Sequence, residues 1–133
     1  MAKPGTKAGY RHRMEVVRAE EREPYVTRDG STVREIAGPA PGNATNQSLA
    51  EATVPAGGET VEHFHHLSEE IYRFASGSGR MRLGDQESEV SAGDVVVIPP
   101  GVRHKLWNSG GEPLVVLCSC SPPYSHEDTV LCE

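Results

Sequence analysis

From residue 24 onward, short apolar runs alternate with clusters of turn-forming residues. Tyr25–Val26 and residues 33–36 flank an Asp29-Gly30 pair, which predicts a β-hairpin. Residues 38–46 carry Gly-Pro, Pro-Gly and Asn and read as a loop, and Ser48–Val54 follows as a strand ended by Pro55-Ala56-Gly57-Gly58. Residues 61–66 and 71–74 are the next two strands, with a turn at Gly77-Ser78-Gly79. Residues 80–83 pair naturally with 87–90 across Gly84-Asp85. Residues 94–98 form an almost continuous apolar run, the pattern expected of a buried strand. Pro99-Pro100-Gly101 stops it, with Pro and Gly at the central positions that a type II turn favours. Residues 103–108 and 114–120 make a last hairpin across 109–113. The best helical window, residues 15–23, is only weakly amphipathic. Strands at this spacing predict an all-β sandwich or barrel.

The chain has 133 residues, which suits one domain with a core of its own. We expect a basic arm over residues 1–13, carrying Lys3, Lys7, Arg11 and Arg13, and one β-domain over 14–133 with a C-terminal tail from about 122. The net charge of −6 argues against a nucleic-acid surface and against attraction to anionic lipid. Cys118, Cys120 and Cys132 are odd in number and contain no CxxC pair, so a disulfide framework is not expected and a reducing compartment, the cytoplasm, is the simpler home. No apolar run at the N-terminus is long enough for a signal peptide or a membrane span.

The candidate chemistry lies in two strand-like segments that together hold His63, His65, His66 and His104. Residues two apart on a strand face the same side, so the imidazoles of His63 and His65 can converge on one ion, with Phe64 and His66 on the other side. Glu70 lies at an odd offset from His65 and joins that face only if residues 67–69 turn the chain back on itself. The local turn signal is poor, with Ser68 alone favouring it, and Glu69 competes for the carboxylate role. His104 follows the rigid Pro99-Pro100-Gly101 turn by three residues, which suits a fixed ligand.

These segments resemble the two cupin motifs. Gly57, five residues, His63-Phe64-His65, four residues, Glu70, six residues and Gly77 match the first; Gly93, five residues, Pro99-Pro100-Gly101, two residues, His104, three residues and Asn108 match the second. The likeness covers residues 57–108 without an insertion and is specific for fold rather than reaction. It implies a single-domain, jelly-roll β-barrel of antiparallel strands. It also implies that His63, His65, Glu70 and His104 meet in the lumen around one divalent metal ion. Cupins commonly form homodimers by exchanging N-terminal strands, which gives the basic arm a second possible use.

Three imidazoles and a carboxylate leave positions open on the ion, as in catalytic sites. Nitrogen and oxygen donors suit Fe, Mn, Zn, Ni or Co and do not choose among them. Iron points to a dioxygenase-like oxidoreductase, which leads narrowly; a Lewis-acid metal points to an isomerase, lyase or cyclase acting on a small polar organic molecule. A small-molecule sensor without catalysis is the reading from another class, and it usually comes with a DNA-binding domain that this chain lacks.

Strand parity nominates the rest of the lumen. Tyr72 shares a face with Glu70 and is the candidate proton donor, with Phe74 beyond it. Leu106 and Asn108 share the face of His104, and Tyr124 and His126 belong to a tail that can fold over the barrel mouth. These five, Phe74, Leu106, Asn108, Tyr124 and His126, are the candidate substrate contacts; a turn-stabilising hydrogen bond is the plainer role for Asn108. Cys118 and Cys120 share one face of the last strand, which would set their thiols near the ion if that face is the lumen. Arg80 and Arg82 also share a face and are expected to point outward into solvent.

Overall fold

The computed structural model describes residues 13–133. The basic arm of residues 1–13 lies outside them except for its last residue. The described residues form eleven strands: β1 Tyr25–Val26, β2 Thr32–Ala37, β3 Ser48–Val54, β4 His63–His65, β5 Glu69–Ser76, β6 Ser78–Leu83, β7 Gln86–Ser91, β8 Val95–Ile98, β9 His104–Trp107, β10 Leu114–Ser121 and β11 Thr129–Leu131. They form a six-stranded sheet in the order β1-β2-β3-β10-β5-β8 and a five-stranded sheet in the order β11-β4-β9-β6-β7. Every pairing is antiparallel. This is the double-sheet jelly roll, and the inner faces of the two sheets enclose the core.

Alternation decides which side chains enter it. In β5 the even positions Glu70, Tyr72 and Phe74 are buried while Glu69, Ile71 and Arg73 face outward. Phe74, Ile98, Leu114 and Val116 close the floor of the barrel, each no more than 1% exposed. Arg80 and Arg82 point away from it, paired with Glu87, Glu89 and Glu62 on the outside of the five-stranded sheet.

The predicted type II turn forms, with Val102 N–H donating to the Pro99 carbonyl at 3.3 Å and Gly101 at a φ of +81°. Gly101 N–H also donates to the His65 carbonyl at 2.7 Å, tying the turn to β4 just where the histidines sit. At Gly77, φ is +84°, and a side chain there would collide with the carbonyl oxygen of Pro113. Only glycine lets β5 turn into β6 under the hairpin that leads to β10.

One expectation changes. The apolar run at 94–98 is not a buried strand: β8 is the edge of its sheet, and Val95 and Val97 are 56% and 50% exposed while Ile98 alone is fully covered. An uninterrupted apolar run carries no period, so it cannot report which face is wet. The helical window at 15–23 reduces to one 3-10 turn at Ala19–Glu21 with no buried residue, because it has no apolar stripe to pack. The segment from 122 includes β11, which pairs along the whole of β4, Thr129 opposite His65 and Leu131 opposite His63.

Candidate metal centre

His63 and His65 occupy alternate positions of β4, and His104 opens β9 directly opposite His63. All three are buried, at 4%, 3% and 1% exposure. Their donor atoms lie within 4.8 Å of one another. Glu70 enters from the facing sheet, with Oε1 at 3.2 Å from His65 Nε2 and 3.5 Å from His104 Nε2. The turn needed for this exists: β4 ends, residues 66–68 reverse the chain, and β5 carries Glu70 inward while Glu69 points to solvent.

Each imidazole is oriented by its other nitrogen. His63 Nδ1 lies 2.8 Å from the Val61 carbonyl and His104 Nδ1 3.0 Å from the Val102 carbonyl. His65 Nδ1 lies 3.0 Å from the Thr129 hydroxyl, which itself donates to the Ser125 carbonyl at 2.9 Å. A carbonyl accepts only, and a hydroxyl that spends its proton elsewhere also accepts. Each Nδ1 therefore carries the hydrogen, and each Nε2 presents a lone pair to the centre. Lone pairs facing a carboxylate oxygen repel unless a cation or a proton lies between them. Glu70 Oε1 and His104 Nε2 are buried without a hydrogen-bond partner among the described residues. Buried polar atoms rarely go unmatched, and a metal ion would satisfy both. The donor set fits a divalent ion.

Burial pushes the Glu70 carboxyl up, but a proton shared with the rings of His104 and His65 outweighs it and holds the group at about 2, the same charge-balancing role that a metal ion between them would take. Burial and the neighbouring His104 ring lower His63 below its ordinary value, so it is neutral and able to ligate. Cys118 and Cys120 do line the lumen, yet burial and the charge of Glu70 push both thiols up. They stay protonated and present small apolar walls rather than thiolate ligands.

The centre opens into a cavity of about 750 Å³, solvent at its mouth included, walled by both sheets. Tyr72, Leu106 and Tyr124 reach this wall. Tyr72 stacks edge-on against His104 with ring centroids 5.8 Å apart, and its hydroxyl has no hydrogen bond among the described residues. Tyr124 lines the cavity with its ring edge-on to His65 at 5.8 Å and its hydroxyl 3.2 Å from that of Thr27. The other candidates sit elsewhere. Phe74 is buried one layer deeper in the core, too far along β5 to reach the wall. Asn108 spends its amide on the Val54 and Glu112 carbonyls at 3.0 and 2.8 Å and its oxygen on Gly110 N–H, so it pins the last hairpin instead of touching a guest. His126 is exposed, and its Nδ1 lies 3.0 Å from the Tyr124 hydroxyl, behind the wall.

Asp29 is the wall residue that the sequence pattern hid. An Asp-Gly pair between strands has a sufficient explanation as a turn, and Asp29 does cap it by accepting the Ser31 N–H. Its second oxygen nevertheless lies 3.8 Å from His63 Nε2, inside the lumen. Glu35 also reaches the wall, from β2.

Residues 50–120, just over half of the chain, match the model of the cupin domain family. The chain is a cupin. An uncharacterized protein of Methanocaldococcus jannaschii is 46% identical to this cupin over 122 residues, covering 90% of the chain and 98% of the relative. Among solved structures, the Streptomyces nucleoside dehydratase Pac13 superposes with a TM-score of 0.73 at 18% identity over 91% of this chain and 92% of that one. A predicted oxalate decarboxylase of Thermotoga maritima does so with a TM-score of 0.72 at 22% identity, over 81% and 99%. At such identities these two likenesses speak for the fold.

Proposed function

We propose that this cupin is a mononuclear metal-dependent enzyme acting on a small polar organic molecule, with the ion held by His63, His65, His104 and Glu70. The observation that carries this reading is the set of three buried histidines with donor atoms within 4.8 Å of one another and a Glu70 oxygen beside two of them, Glu70 Oε1 and His104 Nε2 being buried without partners among the described residues. Fe, Mn, Zn, Ni or Co suits such donors. When bound, the ion supplies Lewis acidity to a chelated carbonyl or hydroxyl, and iron adds redox chemistry with dioxygen.

The chain supplies the rest. Tyr72 holds a proton on a hydroxyl that burial and Glu70 keep un-ionised, and offers it to an oxygen of the guest. Tyr124 and the segment before β11 cover the mouth and limit water. Leu106 and Cys118 give the guest's carbon skeleton an apolar bed.

Oxygen-using oxidoreductase chemistry is the first branch. Isomerase or lyase chemistry is the second, and the free Tyr72 hydroxyl favours it, as do the dehydratase and decarboxylase of the same fold. We place the protein in the cytoplasm as a homodimer; three free thiols support a reducing compartment, and no described helix is long and apolar enough to cross a membrane.

Mass-spectrometric metal analysis of protein purified without added metal tests the site: close to one equivalent is expected, and a trace level would remove the basis of the reading. Oxygen uptake with Fe(II) and a panel of hydroxy acids and diketones tests the branch. Turnover restored equally by Zn rules out the oxygen-using one.

A further inference from the structure

The charge of a cavity wall decides the charge of what can enter it. Three residues with carboxylates line this lumen: Glu70, Asp29 and Glu35, the last with one oxygen accepting from the Tyr25 hydroxyl. Among the described residues no Lys or Arg lines it. Two arginines near the wall donate to backbone oxygens. Arg28 donates to the carbonyls of His126 and Thr129 at 2.9 and 3.1 Å, and Arg22 donates to that of Glu35 at 2.9 Å.

Asp29 is the pivotal group. Its side chain is 12% exposed. One oxygen is used up by the N–H and hydroxyl of Ser31 at 2.9 and 2.7 Å. The other is 3.8 Å from His63 Nε2, too far for a hydrogen bond, and both residues line the cavity. Across the lumen stand the unpartnered Glu70 Oε1 and His104 Nε2 and the unbonded Tyr72 hydroxyl. A divalent ion would be balanced by Glu70 and Asp29, and Glu35 would then tip the lumen negative. Like charges repel more strongly in such a partly desolvated space than in water.

We propose that the lumen admits uncharged small molecules bearing a hydroxyl or N–H donor and discriminates against carboxylates, with Asp29 as the residue that sets this specificity and Glu35 assisting it. The inference rests on the metal-dependent reading above and deepens it by naming the substrate class. The guest's O–H or N–H donates to the free Asp29 oxygen, one of its oxygens accepts from Tyr72, and its carbon skeleton lies against Leu106. A dicarboxylate such as oxalate would set its charge against Asp29 with no cationic side chain of the described chain to offset it.

Isothermal calorimetry with malonamide and malonate tests this, because the two share a skeleton and differ in charge. The full-length zinc-loaded protein is compared with Asp29→Asn and Glu35→Gln. Asparagine keeps an oxygen for Ser31, so the turn is preserved. The ratio of malonate affinity to malonamide affinity is expected to rise about tenfold in Asp29→Asn, and in the same direction but less in Glu35→Gln. An unchanged or lower ratio in folded, zinc-bound Asp29→Asn overturns the proposal, as does no measurable binding of either compound to any of the three proteins. If Asp29→Asn fails to fold, the sign of the change in Glu35→Gln decides. Zinc well below one equivalent in the unaltered protein would instead sink the metal reading. The same pair of compounds measured on metal-free protein then still reports the charge preference.

Discussion

The Asp128 carboxylate accepts the backbone N–H of Ser68 at 3.0 Å, and in doing so decides where Glu70 points. Its other oxygen takes the Leu67 N–H at 2.9 Å, and the Ser68 hydroxyl donates to the Pro122 carbonyl at 2.7 Å. The reversal between β4 and β5 is therefore held from sixty residues away. Asp128→Ala should lower the stability of the fold by about 1–3 kcal/mol in urea unfolding, the range for losing hydrogen bonds to a charged acceptor. Because Glu70 is no longer aimed, metal affinity should also fall by about 10–100-fold. Unchanged affinity would mean the turn holds its shape unaided.

Of the four residues proposed to hold the ion, His104 has the least exposure, and its Nε2 has no hydrogen-bond partner among the described residues. His104→Ala should leave the strand content of the circular dichroism spectrum intact while bound metal drops far below one equivalent. A variant that keeps its metal and full activity would show that the chemistry lies elsewhere.

Tyr72 separates a catalytic role from packing. Its ring is buried and its hydroxyl bonds to no described residue, so Tyr72→Phe removes nothing that the fold uses. Thermal stability should hold, and kcat should fall by about 10²–10⁴, the usual contribution of a proton donor. A variant with unaltered kcat would leave Tyr72 as lumen lining.

Acid should weaken the metal-free protein in two stages. His63 is held below its ordinary value of 6.5 by burial and by His104, so as pH falls through 6.5 the unfolded chain takes a proton that the folded one refuses, and stability drops. Glu70 is held down at about 2, so its contribution is complete above 4.5 and is lost as pH falls from there towards 2. Urea midpoints measured across this range should decline below about pH 6.5 and more steeply below about 4.5. A midpoint constant from neutrality to about pH 4 would contradict the neutral state of the buried ring.

The two histidine segments and the turn after Ile98 are legible because strand parity and Pro-Gly chemistry are local. Cys118 and Cys120 also follow from parity once β10 is placed. What escapes is set by distant partners. Nothing near Ser68 announces the reversal, since Asp128 supplies it. Strand β11 is only three residues long and is stable because β4 lies beside it, so no window of sequence around Thr129 signals it. Asp29 does two jobs with two oxygens, and the sequence reveals only the turn. The run Val95–Ile98 looks buried because an apolar stretch does not say whether its strand lies at the centre or the edge of a sheet.

His63, His65 and His104 belong to the five-stranded sheet, whereas Glu70 belongs to the six-stranded one. An ion bound to all four would act as a rivet through the middle of the sandwich, fastening two layers that otherwise meet through side-chain packing and peripheral hydrogen bonds such as that from Arg28 to the Thr129 carbonyl. Adding metal should slow amide hydrogen exchange in β4, β5 and β9 together, and leave the outlying β7 nearly as before. The occupant of the lumen would then set how far the two layers can breathe apart, and with it the ease with which a guest slips past Tyr124.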